Sequence, residues 1–107
     1  PTEALTVIDV NTAKSVSKKT SEETYLKTNL EAAEEIAVQL RLRNLSGIII
    51  VDFIDMKEEE SRKTLLAALR RAVAADPVKT VLVDMTPLGL VELTRKKIRR
   101  PLHEQLR

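Results

Sequence analysis

Apolar positions along the chain fall into runs of two kinds. Short stretches rich in β-branched residues, with little polar alternation, occur at 5–10 (LTVIDV), 47–56 (GIIIVDFIDM) and 79–84 (KTVLVD). These read as buried strands. The middle run is the strongest: Gly47 opens it, Ile48, Ile49, Ile50 and Val51 fill it, and Asp52 stands where it gives out. Between the runs the spacing turns helical. Thr20-x-x-Glu23 is a capping box, and periodicity carries the helix it opens for about 23 residues, to Arg43. Leu26, Leu30, Ala33, Ala37 and Leu40, with Ile36 beside them, make one apolar stripe that would face a sheet. Asn44, Ser46 and Gly47 end it. Asp55 as N-cap, with Glu58 behind it, predicts a second helix. Its stripe is Leu65, Leu66, Leu69, Ala72 and Val73, and Asp76-Pro77 stops it. Thr86 with Pro87 at the first helical position predicts a third helix. There Leu88, Val91 and Ile98 face the core, and Arg95, Lys96, Lys97, Arg99 and Arg100 do not. Pro101 closes it, and the last residues fray.

The order strand, helix, strand, helix, strand, helix predicts an α/β fold. It is a small βαβαβα unit of two or three layers with a mainly parallel sheet and right-handed crossovers, and residues 1–107 form a single domain. Three strands leave two open sheet edges, a pairing hazard unless covered. The expectation is therefore a homo-oligomer or a piece of a larger enzyme.

Composition narrows the chemistry. The apolar content of 43% suits a globular chain, and no apolar run approaches the ~20 residues of a membrane helix. There are no cysteines and one histidine, His103, which argues against thiolate or histidine metal sites. No targeting segment is visible, and the chain begins at Pro1, as a processed or trimmed protein would. A cytoplasmic setting is expected. The net charge of +2 is uneven: residues 95–107 hold six Lys/Arg against one Glu. Such an end attracts a polyanion, or is simply a solvated helix end whose cations suit the macrodipole.

The strand-like runs share a feature: Asp9, Asp52 and Asp84 lie near their C-terminal ends, with Asn11 just past Asp9. In open α/β sheets ligand sites lie outside those ends. A carboxylate there is costly unless paired, hydrogen-bonded or bound to metal. Two close carboxylates repel unless a cation sits between them, and magnesium is typically held by one or two carboxylates plus waters and phosphate oxygens. Helix capping and loop hydrogen bonds are the competing roles, and for Asp84, which precedes Thr86-Pro87, ordering that turn is the better reading. The chain has no phosphate-binding glycine motif, Gly47 and Gly89 being its only glycines. Tyr25 and Phe53 are its only aromatics, too few for a base-stacking platform.

Three stretches, TEALTVIDVN, TNLEAAEEIAVQLRLRNLSGIIIVDFIDM and LGLVELTRKK, resemble the RNase E/G family of endoribonucleases over nearly the whole chain. The resemblance implies the DNase I-like catalytic subdomain of that family. It implies magnesium-dependent hydrolysis of single-stranded RNA in RNA processing and decay, leaving a 5′-phosphate. The family's two metal-binding aspartates match Asp9 and Asp52, including their separation of 43 positions, and its supporting asparagine matches Asn11. Manganese would substitute for magnesium at such an oxygen site. The family's RNA-binding domain, 5′-end sensor and Cys-x-x-Cys zinc link have no counterpart here, so the isolated chain is expected to bind metal weakly and cleave RNA poorly. Two other readings stand beside this one. One is a receiver-like module phosphorylated at Asp52, disfavoured because no adjacent acidic pair ends the first strand. The other is a non-catalytic RNA-binding or assembly module working through residues 95–107.

Overall fold

The computed structural model describes residues 5–10, 22–86 and 90–97. Its elements are β1 (Leu5–Asp9), α1 (Glu22–Leu42), β2 (Gly47–Asp52), α2 (Glu59–Ala74), β3 (Thr80–Met85) and β4 (Leu90–Arg95). The fold is α/β in two layers. A four-stranded sheet of order β1-β2-β4-β3 carries both helices on one face. β1 pairs parallel with β2, and β4 runs antiparallel between β2 and β3. β1, β2 and β3 thus share one direction, as expected, and β4 makes the sheet mixed.

The apolar runs explain these elements. In β2, Ile49 and Val51 are fully buried under the helices, while Ile48, one residue out of phase, is 38% exposed. Opposite them Val91 and Leu93 of β4 face the same way. Ala33, Ile36, Ala37 and Leu40 of α1 and Leu65, Leu69 and Val73 of α2 close this single core. Burial of these side chains stabilises each by roughly 1.5–3 kcal/mol for the larger ones. α1 ends in a Schellman motif: Leu45 N–H bonds Leu40 O at 3.1 Å, Asn44 N–H bonds Arg41 O at 3.2 Å, and Asn44 takes the left-handed conformation with φ 51°. The capping box at Thr20 lies outside the described residues.

Three sequence expectations need correction. Asp55 is not the N-cap of α2. The helix begins four residues later, with Glu58 at the cap position and no side-chain cap bond. The delay has a packing cause: Phe53, Ile54 and Met56 are buried, so the chain runs along the core before it can coil. The third helix, expected from Thr86 onward, is a strand over residues 90–95. Val91, Leu93 and Arg95 alternate with outward-facing neighbours, a period of two that belongs to a strand. β2 and β3 supply ladders on both of its sides. Thr86 closes the β3–β4 turn instead of capping a helix: its N–H bonds Leu90 O at 2.8 Å, and its Oγ1 accepts from Leu90 N–H at 3.2 Å. Residues 98–107, most of the basic end, lie outside the described residues. Of that end, Arg95 is buried at 2% exposure, contrary to expectation, and only Lys96 and Lys97 are exposed among the described residues.

Among the described residues no helix lies over the second face of the sheet. Leu5, Val7, Ile48, Val81, Val83 and Leu90 are 37–65% exposed along it. Among the described residues no helix is long and apolar enough to cross a membrane.

Candidate metal site at the strand ends

The parallel register of β1 and β2 runs from Leu5↔Ile48 to Asp9↔Asp52. The two aspartates are therefore direct neighbours on the last rung. Paired residues of adjacent strands project from the same face, and the strands lie roughly 4.8 Å apart. Both carboxylates stand on the face opposite the helices, at the edge where β1, β2 and β3 finish. Asp52 is partly buried, between Asp9 on one side and Leu90 on the other, while Asp9 is exposed. Partial burial, and secondarily the negative charge of Asp9, push the Asp52 carboxyl above the usual carboxylate range.

That repulsion is the structural argument for a cation. A hard divalent ion between the two carboxylates would offset the charge of Asp9, the lesser of the two causes. No group of three or more acidic, histidine or cysteine side chains comes together among the described residues. Two carboxylates suit magnesium, which keeps most of its water and takes few protein ligands. The donor set therefore fits.

Asn11 lies outside the described residues. Asp84 has its backbone two strands away from that of Asp52. It is in β3, its backbone paired with Glu92 beside a break in register, and β4 separates that strand from β2. Two strand spacings put roughly 10 Å of sheet between Asp84 and Asp52. Beside Asp9 lies a cavity of about 310 Å³ between β1 and α1, floored by Ile8, Val10, Ala32 and Ile36 and rimmed by Glu31 and Glu35. Among the described residues its lining carries no cation. Arg62 and Lys63 line a separate cavity of about 230 Å³ with Met85 and Thr86, at the end of the sheet where β3 finishes.

The segment leaving the site, residues 53–58, is held by three side chains that sequence reasoning did not single out. Asn29 of α1 donates from Nδ2 to Ile54 O at 2.9 Å and accepts Ile54 N–H on Oδ1 at 3.0 Å. Glu22 accepts the N–H groups of Lys57 (3.2 Å) and Glu58 (2.9 Å). The Glu58 N–H bond, with help from Lys57, keeps the Glu22 carboxyl below its ordinary range against the opposing effect of burial. Arg62 donates Nη1 to Met56 O at 2.7 Å and Lys57 O at 3.1 Å. A signal for Asn29 existed in the sequence: it is the one polar residue on the buried stripe of α1, beside Ala33, Ile36, Ala37 and Leu40.

Fold and site together describe an α/β domain with paired carboxylates at adjacent parallel strand ends. The sequence pattern of the Ribonuclease E/G family matches residues 1–98. The chain is 49% identical to Ribonuclease G of Salmonella typhimurium (strain SL1344) over 105 residues, which is 98% of this chain and 22% of that protein. It is 48% identical to Ribonuclease G of Escherichia coli (strain K12) over the same shares. It is 50% identical to Ribonuclease E of Nostoc sp. (strain PCC 7120 / SAG 25.82 / UTEX 2576) over 104 residues, 97% of this chain and 15% of that protein. The chain belongs to the Ribonuclease E/G family. It spans about a fifth of the length of these Ribonuclease G relatives and less of the Ribonuclease E relative.

Proposed function

We propose that this chain is the metal-binding catalytic part of an endoribonuclease that hydrolyses phosphodiester bonds of single-stranded RNA in RNA processing and decay. The observation that carries the reading is the Asp9↔Asp52 rung, two carboxylates side by side at the end of the parallel pair. Membership of a family whose relatives are named ribonucleases supplies the substrate class.

In this reading Asp9 and Asp52 hold a magnesium ion, and manganese substitutes for it. Held there, such an ion would supply an activated water and charge compensation at the scissile phosphate. The residues themselves have defined tasks. Asp52, fixed by the central strand, sets one ligand position. Asp9, more exposed, sets the other on the side open to solvent. Asn11, two positions past Asp9, orients a carboxylate or the attacking water. The partner is single-stranded RNA, gripped mainly by phosphate contacts because the chain has too few aromatics to stack bases. The setting is cytoplasmic, and the protein works as a homo-oligomer.

The test is an NMR titration of the chain with trace manganese. Selective broadening of amides around Asp9 and Asp52, absent in Asp9→Asn and Asp52→Asn, is the expected result. Broadening spread over Glu58, Glu59 and Glu60, unchanged in both variants, would sink the reading.

A further inference from the structure

The ladder between β1 and β2 ends at Asp9↔Asp52, and the ladder between β2 and β4 ends at Asp52↔Leu90. Ile54 lies two residues past both. Its backbone is buried and pairs with no strand among the described residues, yet both its N–H and its C=O are bonded, to one side chain. The Asn29 carboxamide gives and takes one hydrogen bond, as a neighbouring strand residue would. Asn29 itself is 0% exposed. A buried polar side chain costs free energy unless it is bonded, and here both of its polar atoms are.

The placement of this clamp matters for the carboxylate beside it. Only Phe53 separates Asp52 from Ile54, and Phe53 is fully buried. The direction in which the backbone leaves Asp52 is therefore set at Ile54. Glu22 and Arg62 hold the later part of the same segment. Those two are partly exposed, so Asn29 is the buried anchor of the segment, and the residue it clamps, Ile54, follows the carboxylate by two positions.

We propose that Asn29 is a positioning residue for the metal site: by clamping Ile54 it fixes the exit of the chain from β2 and holds the Asp52 carboxylate in place beside Asp9. The proposal rests on the reading that Asp9 and Asp52 bind a divalent ion. Groups that orient metal ligands typically cost 10–100-fold in metal affinity or activity when removed, and the same order applies here.

The experiment counts free and bound Mn²⁺ by electron paramagnetic resonance in the full-length protein. It compares the native sequence with Asn29→Ala, Asn29→Asp and Asp52→Asn. The expected result is a site abolished by Asp52→Asn and weakened about tenfold by each Asn29 variant, with unchanged circular dichroism. The magnesium concentration for half-maximal RNA cleavage rises by the same factor, excess magnesium restores the rate, and KM for RNA stays within about twofold. If Asn29→Ala does not fold, Asn29→Asp, which keeps the shape and the acceptor for Ile54 N–H, carries the comparison. Native Mn²⁺ affinity in a folded Asn29 variant overturns the proposal, as does a loss of cleavage that excess magnesium does not restore. Mn²⁺ binding unaffected by Asp52→Asn is a separate result, which removes the metal reading beneath it.

Discussion

Arg95 and Asp76 form a buried ion pair: Nε lies 2.7 Å from Oδ2, and the side chains are 2% and 3% exposed. The guanidinium also donates to Asp76 Oδ1 at 3.3 Å, to Asn44 Oδ1 at 3.0 Å and to Leu45 O at 2.8 Å. One side chain at the end of β4 thus ties together the α2–β3 turn and the Schellman end of α1. This junction lies at the end of the sheet opposite Asp9 and Asp52.

Breaking that pair from one side leaves a buried charge without its partner. Arg95→Ala or Asp76→Asn should each lower unfolding free energy by about 3–5 kcal/mol. Urea unfolding followed by circular dichroism measures it. A loss below 1 kcal/mol would mean that water reaches the junction and that it contributes no more than a surface pair.

The same junction makes a pH prediction. The Arg95 hydrogen bond, with the Val78 N–H, holds the Asp76 carboxyl below its ordinary value although burial opposes this. A carboxyl depressed in the folded state contributes stability that is fully present above its unfolded value, about 3.9. It is lost as pH falls from there through the lower folded value, because the unfolded chain then binds more protons. Glu22, also depressed, adds in the same direction. Unfolding free energy should therefore drop steeply below about pH 4. The Asp76→Asn curve should be flatter there than the native one. Parallel curves would show that acid lability arises elsewhere.

The sheet face that no described element covers predicts association of the isolated chain. Leu5 and Val7 are 65% and 64% exposed, and Val83 is 52% exposed. β1 also presents an unpaired edge among the described strands. Sedimentation should show mass rising with concentration. Val7→Lys with Val83→Lys should return the chain to a monomer at little cost in stability, since both side chains already face out. A native chain that stays monomeric at millimolar concentration would show that the face needs no cover.

How much of this was legible in the sequence depended on whether a residue's role was local. The Ile48–Val51 run declared a buried strand by itself, and Asp9 and Asp52 could be picked because each closes an apolar run. That the two are partners on one rung needed the register, which no single stretch contains. β4 was misread because Thr86-Pro87 is a sound helix start and the cations that follow suit a helix end. What overrides both is pairing with β2 and β3, which are distant in sequence. Arg95 was excluded from the core for its charge, and its burial is possible only because Asp76, Asn44 and Leu45 meet it from two other turns. Asn29 failed to register because an apolar-stripe reading counts hydrophobic positions and passes over the polar one among them.

The Asp9–Asp52 rung carries a last prediction, about stability and function pulling apart. Burial and the neighbouring charge raise the Asp52 carboxyl. A raised folded value means that the folded state binds the proton more tightly than the unfolded one. The carboxylate therefore costs stability once pH rises past its unfolded value, and the full cost is reached above the folded value. Without metal, Asp52→Asn should stabilise the protein slightly at neutral pH. The gain should shrink toward zero as pH falls below about 4, where Asp52 is protonated in both states. The same substitution should lower RNA cleavage by the full-length protein at least about 100-fold, and added magnesium should stabilise the native protein but not the variant. Thermal unfolding at two pH values, with and without magnesium, separates these effects. If Asp52→Asn destabilises the metal-free protein, the carboxylate is a structural hydrogen-bonding group, and the repulsion that argues for a cation is not what shapes this end of the sheet.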